Sequence, residues 1–572
     1  MQRPSLQLSK SIVRQRIKAQ LAPPLAVAVA MIYAGPAAAD SCSDLMTTLL
    51  LPNTTITQAQ TYTAGQVVTG TTTAPVGLCR VAGTVKPGPQ SNVNFEVWIP
   101  TDGSWNGKYQ QVGNGGFAGA IPFPAIANAT SRGYATAGTD DGTSGSPPAI
   151  PRGAAAFIEN MDVLLDYGYR AIKATTDDSK AIITALMKQT PSPSYFVGCS
   201  DGGREALQEA QRFPNDFDGI IVGSPVNDQV GEFGSSYLYD MQATLNGPQT
   251  AGVPDAYIPA SKLPLLTNAA LAACVGTDGG VATDGFLSDP RQCRFDPGVV
   301  KCKPGQDTSA CLTPAQVDAA QKLYAGPHDH GILLFPGLEP GGESVNGDWQ
   351  TWITGTSPSA PGAQFGLGFG FGCDLMLGVQ SCNYLAIDVV QQDETARQTL
   401  QPILSSVNPD LSAFKAHGGK MIQYAGWADA AIPPENGLNY YRLVTHTMGD
   451  PSDFYRVFMV PGMAHCGGGA GPNAFGNGTT NGPVIDADHD LVKALERWVE
   501  EGIAPDRIIA THYVNNAAPT VAFQRPLCPY PERGEYVGQG DPSNAANFQC
   551  VAHHDPFDPR NIGPQQAYKP GR

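Results

Sequence analysis

The stretch Tyr195-Phe-Val-Gly-Cys-Ser-Asp-Gly-Gly-Arg204 decides how this chain is read. It runs from a short apolar segment, Tyr195 to Gly198, into a helical pattern from Gly203 to Arg212. At the junction lies Gly198-Cys-Ser-Asp-Gly202, the one G-x-S-x-G in the sequence. A sharp strand-to-helix turn of this kind lifts a serine oxygen above a sheet, and the flanking glycines let strand and helix approach closely. In a chain with 65 glycines among 572 residues the pentapeptide alone is a weak signal. Its position between a strand-like and a helix-like segment gives it weight.

Outward from this turn the pattern repeats. Strand-like runs occur at Asn92 to Pro100, Tyr109 to Val112, Tyr134 to Gly138, Tyr195 to Gly198 and Gly219 to Val222. Helical spacing runs from Met161 to Met187, with a break expected near Thr175. Alternation resumes with a strand at Lys420 to Tyr424, a helix near Asn436 to His446, a strand at Arg456 to Val460 and a helix around His489 to Glu501. Strands alternating with helices predict an α/β fold with a mostly parallel sheet covered on both faces. Between about Val230 and Ser406 the sequence turns rich in Gly, Pro and Asp and holds six of the twelve cysteines. The expected organisation is a leader over 1–39, a first sheet part over 40–229, an inserted lid over 230–406 and a second sheet part over 407–572. No solenoid or propeller repeat is present.

The first forty residues carry Arg3, Lys10, Arg14, Arg16 and Lys18, then an apolar run from Leu25 to Ala34, then Ala37-Ala-Ala39. This is the pattern of an export signal cleaved after Ala39. The competing reading, a membrane anchor, needs about 20 apolar residues and the run is shorter. A secreted or periplasmic chain with an even number of cysteines is expected to form disulfides. Sequence order suggests Cys42 with Cys79, Cys274 with Cys293, Cys302 with Cys311, Cys373 with Cys382, and Cys528 with Cys550, which leaves Cys199 and Cys466. A net charge of −16 argues against nucleic acid or an anionic membrane as a partner.

A serine hydroxyl needs a histidine to take its proton, and that histidine needs a carboxylate to fix its tautomer. Among nine histidines, His465 lies in Val460-Pro-Gly-Met-Ala-His-Cys-Gly-Gly-Gly469, a glycine-rich loop directly after a predicted strand. Asp429, in Tyr424-Ala-Gly-Trp-Ala-Asp-Ala-Ala-Ile-Pro-Pro434, follows the preceding strand and is the candidate carboxylate. The oxyanion needs two backbone N–H groups. One is expected from Asp201, the residue after the serine. The other is assigned to Gly116 in Gly113-Asn-Gly-Gly-Phe-Ala-Gly119, a loop that lacks the spacing of a dinucleotide site and the lysine of a P-loop.

At these residues the sequence resembles the tannase and feruloyl esterase family, which includes hydrolases of terephthalate monoesters. The carriers are Tyr195 to Glu205, Arg212-Phe-Pro214 with Phe217-Asp-Gly219, Gly426-Trp-Ala-Asp429, Pro461-Gly-Met-Ala-His-Cys466, Arg525-Pro-Leu-Cys-Pro-Tyr-Pro531 and Ala546-Asn-Phe-Gln-Cys550. The resemblance implies an α/β-hydrolase fold and a disulfide between Cys199, before the serine, and Cys466, after the histidine. It also implies a calcium site in the lid. Thr277 to Asp289 is similar to that site, with Asp278 and Asp284 as side-chain ligands and Val281 and Phe286 as carbonyl ligands. The sequence departs from the pattern at Val275, where the family has an aspartate. Phe365, Phe369, Phe371 and Tyr384 are candidates for an aromatic pocket, with core packing an equal reading of each.

These observations imply a serine carboxylic ester hydrolase for small aromatic esters, of feruloyl esterase or tannase type, working through an acyl-enzyme and needing no organic cofactor. A terephthalate monoester hydrolase, a peptidase on the same fold and a non-catalytic calcium-dependent binding protein are the alternatives.

Overall fold

The computed structural model describes residues 41–144, 157, 160–478, 481–553 and 555. The expected leader over 1–39 lies outside the described residues. Among the described residues, no helix is long and apolar enough to cross a membrane.

Nine strands form the central sheet: β1 (Thr54–Tyr62), β2 (Leu78–Val85), β3 (Val93–Pro100), β4 (Tyr109–Val112), β5 (Ala135–Thr139), β6 (Ser194–Cys199), β7 (Gly219–Gly223), β8 (Lys420–Gly426) and β9 (Tyr455–Val460). Their spatial order is β1-β2-β3-β5-β4-β6-β7-β8-β9. The pairs from β5 to β9 are all parallel, whereas β1, β2, β3 and β5 pair antiparallel. The sheet is therefore mixed. Its antiparallel edge, β1 and β2, was not expected from the sequence.

Alternation of side chains divides the sheet's two cores. Tyr195, Val197 and Ile221 face one side, where they meet Leu491, Leu495 and Trp498 of the helix Leu491–Glu501. Phe196, Ile220 and Val222 face the other, against Ile182 and Ile183 of the helix Ala171–Met187 and Leu438 and Val444 of the helix Pro434–Met448. Both faces of the central strands are thus sealed, as parallel strands require.

The break expected near Thr175 lies elsewhere. Thr175 is buried inside the helix Ala171–Met187, and the next residue, Thr176, returns its hydroxyl to the Ile172 carbonyl at 2.8 Å, so the β-branched pair is accommodated. The helix widens instead at Asp166–Arg170. Gly168 sits in that wider turn, where a Cβ would lie 2.8 Å from the Ile403 carbonyl oxygen.

Between β7 and β8 the chain forms the helices Tyr237–Leu245, Leu263–Cys274, Pro314–Ala325 and Val389–Thr399. They enclose their own core, which includes Leu238, Leu266, Leu323 and Trp349. Three disulfides tie this region: Cys274–Cys293, Cys302–Cys311 and Cys373–Cys382. The other three are Cys42–Cys79, Cys528–Cys550 and Cys199–Cys466, the last joining residues 267 apart in sequence.

Candidate active site

β6 ends in a turn that places Ser200 at φ 65 and ψ −122, a left-handed backbone that a non-glycine residue holds only under constraint. The neighbouring glycines supply the room. A Cβ at Gly198 would lie 2.2 Å from the Gly202 carbonyl oxygen, and one at Gly203 would lie 2.5 Å from that of Gly223. The helix Asp201–Arg212 starts immediately after the serine.

His465 follows β9 and Asp429 follows β8, the neighbouring strand. His465 Nδ1 lies 2.9 Å from Asp429 Oδ2, and Asp429 Oδ1 accepts from the N–H groups of Ala431 and Ile432, both at 2.9 Å. The carboxylate is therefore fixed on both sides. Trp352 meets the imidazole edge-on, with ring centroids 5.0 Å apart. Asp348 accepts from the Ala430 N–H at 2.9 Å, and burial, then the Asp429 charge, pushes its pKa well above the ordinary carboxylate range. Glu232, fully buried, is pushed the same way first by burial and then by Asp429 and Asp228.

Ser200 and His465 open onto one pocket of about 460 Å³. Its walls are mainly apolar: Phe233, Tyr237, Trp352, Leu367 and Ile432 on one side, and the Gly113–Gly116 loop on the other. Among the described residues, no lysine, arginine, aspartate or glutamate lines it.

The loop Gly113–Gly116 is strapped to the nucleophile turn. The Gly202 N–H donates to the Asn114 carbonyl at 2.8 Å, and the Asn114 N–H donates to Glu205 Oε2 at 3.1 Å. Gly116 takes a left-handed φ of 62. The Tyr167 hydroxyl lies 2.9 Å from both the Gly116 carbonyl and Asp201 Oδ1. The side chain of Asp201 is held away from the pocket by this contact and by Arg204 at 2.6 Å, while its N–H, at the first helical position, has no intrahelical acceptor.

Of the two readings of Phe365, Phe369, Phe371 and Tyr384, core packing is the one the structure shows, and the pocket is lined by other residues. Phe365 and Tyr384 pack edge-on at 5.8 Å in the core of the inserted region, with Phe369 beside them. Phe371 is buried in a separate cluster behind Phe233, against Gly234. The helix Ala363–Phe369 turns its phenylalanines inward and presents Leu367 and Ala363 to the pocket. Phe233, Tyr237 and Trp352 were not foreseen. The spacing of Phe233 and Tyr237, four apart, was the available signal.

The loop expected to hold calcium is tied by its own hydrogen bonds and by one guanidinium. Asp278 Oδ1 accepts from the Gly280 N–H, and Oδ2 from those of Ser288 and Asp289. Asp284 Oδ1 pairs with Arg525 at 2.8 Å, and its Oδ2 accepts from the Val281 N–H. The Val281 carbonyl accepts from the Asp284 N–H, and Phe286 stacks on Phe523. Each of the four carboxylate oxygens thus already accepts a hydrogen bond, and the Arg525 guanidinium supplies a positive charge at Asp284. A hard cation bound through Asp284 would have to share that carboxylate with the guanidinium.

A strained serine turn opening from a mixed sheet onto an apolar pocket is the arrangement of an α/β-hydrolase, and this chain is a carboxylic ester hydrolase of that class. It belongs to the tannase and feruloyl esterase family, whose model matches residues 79–551. It is 38% identical over 561 residues to an uncharacterized esterase of Xanthomonas campestris, covering 92% of this chain and 93% of that one. A probable feruloyl esterase B-2 of Aspergillus terreus is 31% identical over 497 residues, covering 83% of this chain and 86% of its own. The crystal structure of feruloyl esterase B from Aspergillus oryzae superposes with a TM-score of 0.80 at 27% identity, covering 89% of this chain and 99% of that one.

Proposed function

We propose that this chain is an exported esterase that releases hydroxycinnamic acids from their esters through an acyl-enzyme on Ser200. The observation that carries the reading is the meeting of Ser200 and His465 in one pocket, with His465 Nδ1 held by Asp429 at 2.9 Å. A carboxylate on Nδ1 keeps the proton there and leaves Nε2, whose neighbour is Cys466 Sγ at 3.6 Å, unprotonated as the base. His465 Nε2 takes the Ser200 proton as Oγ attacks the ester carbonyl, and returns it to the departing alkoxide. The N–H groups of Asp201 and Gly116 receive the oxyanion. Water, deprotonated by the same nitrogen, then attacks the acyl carbonyl, and the proton passes to Ser200 as the acid leaves. Export accords with the leader pattern over 1–39 and with six disulfides, which need an oxidising compartment.

The pocket's chemistry supports an uncharged aromatic acyl group. A terephthalate monoester would bury a carboxylate that no cationic side chain among the described residues meets, which is costly. A galloyl group brings three hydroxyls, whereas the Asn114 side chain already donates to the Thr139 carbonyl at 2.8 Å and the Tyr237 hydroxyl to that of Ala431 at 3.0 Å. Turnover should therefore rank methyl ferulate above methyl gallate and both above a terephthalate monoester. A preference for the terephthalate monoester contradicts the substrate assignment. Labelling by a fluorophosphonate that is lost in His465→Ala tests the mechanism separately, and undiminished labelling of that variant contradicts it.

A further inference from the structure

Beneath the nucleophile lie three carboxyl groups, Asp141, Asp201 and Glu205, with ligand-type oxygens all within 4.8 Å of one another and every residue buried. Asp201 is satisfied by Arg204 and Tyr167. The other two are not. Both oxygens of Asp141 and Oε1 of Glu205 have no hydrogen-bond donor. Arg204 spends its five N–H groups on Asp201 and on the carbonyls of Tyr167, Gly168 and Leu404, so it offers none to this pair.

Two buried carboxylates facing one another without donors cannot both be ionised, because neither desolvation nor their repulsion is compensated. A proton between them removes both costs and turns one carboxylate into the donor the other lacks. The charged groups facing the pair are Asp201 and Arg204. Burial first, and then the Glu205 and Asp201 charges, pushes Asp141 well above the ordinary carboxylate range, and burial raises Glu205 as well.

The fourth oxygen of this pair reaches the loop that lines the pocket. Glu205 Oε2 accepts the Asn114 N–H at 3.1 Å, and a Cβ at Gly113 would lie 2.8 Å from the same oxygen. The loop that carries Gly116 thus rests directly on Glu205. Asp141 follows β5 in a left-handed backbone, φ 55, and its carboxylate comes within 4.8 Å of that of Glu205.

We infer that Asp141 and Glu205 share one proton, and that this protonated pair is a positioning device that holds the Gly113–Gly116 loop where its N–H groups can receive the oxyanion. The inference rests on the reading of Ser200 as nucleophile for its kinetic consequence, but not for the proton itself. Loss of the proton sets two charges against each other below the loop, displaces Glu205 and weakens oxyanion binding. The effect belongs mainly to kcat, since the loop's N–H groups receive the charge that develops in the transition state.

The test compares wild type with Glu205→Gln, Glu205→Ala and Asp141→Asn. In infrared difference spectra between wild type and Glu205→Gln at neutral pH, a protonated-carboxyl C=O band should be present in the wild type and lost on raising the pH. Its absence overturns the shared proton, whatever the activity. Glu205→Ala should lower kcat by about 100-fold with KM within about 3-fold, as loss of an oxyanion donor does. Glu205→Gln, which can accept from Asn114 and donate to Asp141, should restore most of that kcat and remove the fall of kcat at alkaline pH. An alkaline limb unchanged in Glu205→Gln overturns the positioning role. So does a stoichiometric divalent cation in the purified protein that is lost in Glu205→Gln. If wild type hydrolyses no aryl ester, the esterase reading fails while the infrared result still decides the pair.

Discussion

His465 Nδ1 and Asp429 Oδ2 stand 2.9 Å apart, and the second oxygen of Asp429 is occupied by two backbone N–H groups. An asparagine at 429 would turn its carbonyl oxygen to those N–H groups and its NH₂ to His465. The imidazole would then carry its proton on Nε2, where it cannot act as base. Asp429→Asn should lower kcat by about 10³–10⁴-fold, with KM within a few-fold and the fold intact. Steady-state kinetics on methyl ferulate checks this, and a loss under tenfold would contradict the role given to Asp429.

The Cys199–Cys466 bridge joins the residue before Ser200 to the residue after His465. It closes a long loop and fixes two side chains that must meet. Replacing both cysteines with alanine should cost about 2–5 kcal/mol of stability and also lower kcat, since the two loops lose their common anchor. Chemical denaturation and kinetics on the same preparation measure both. A double variant that loses stability but keeps full kcat would show that the bridge is only a staple.

How much of this was legible in the sequence follows from what each residue depends on. Gly198, Gly202 and Ser200 are a local steric unit, so their meaning could be read from five residues. His465 and Asp429 each follow a strand of the parallel part of the sheet, and β8 and β9 are adjacent, so chain order was informative. β1 was not recognised because its residues, TTITQAQTY, are mostly polar and half-exposed at the sheet edge, which leaves little apolar alternation. The pocket wall stayed open between two readings because Phe365, Phe369 and Phe371 stand out in a glycine-rich run, whereas the side they bury depends on their packing against Tyr384 and against Gly234, which is more than 130 residues away in sequence. The Asp141–Glu205 contact left no sequence signal, since it arises from the crossing of β5's end with the helix after Ser200.

Asp178 gives a prediction about pH and stability. It is buried in the helix Ala171–Met187, accepts from Thr54 Oγ1 at 2.7 Å, and is pushed up to about 6, chiefly by burial. Below the unfolded value of about 4, both states hold the proton and the group is neutral in its effect. As pH rises from there through 6, the unfolded chain releases the proton more readily, so stability falls by as much as ~3 kcal/mol and stays reduced above. Asp178→Asn should match wild type at pH 4 and exceed it at pH 8 in denaturant midpoint. Equal pH slopes for the two proteins would contradict the account.

Arg525 pairs with Asp284, one of the two carboxylates that the family resemblance expects to hold calcium. Dialysis against a chelator should leave both activity and the thermal midpoint unchanged. Arg525→Ala should destabilise the protein by about 3–5 kcal/mol, because it leaves Asp284 buried without its partner. Inactivation or a lowered midpoint on chelation, reversed by added calcium, would contradict the assignment of that charge to Arg525.

The central claim is that Ser200 is the nucleophile of an ester hydrolase, and its most direct test is the turnover of methyl ferulate by Ser200→Ala. The account predicts a fall in kcat of at least about 10⁴-fold with an unchanged thermal midpoint. Turnover retained within about tenfold of wild type would contradict it.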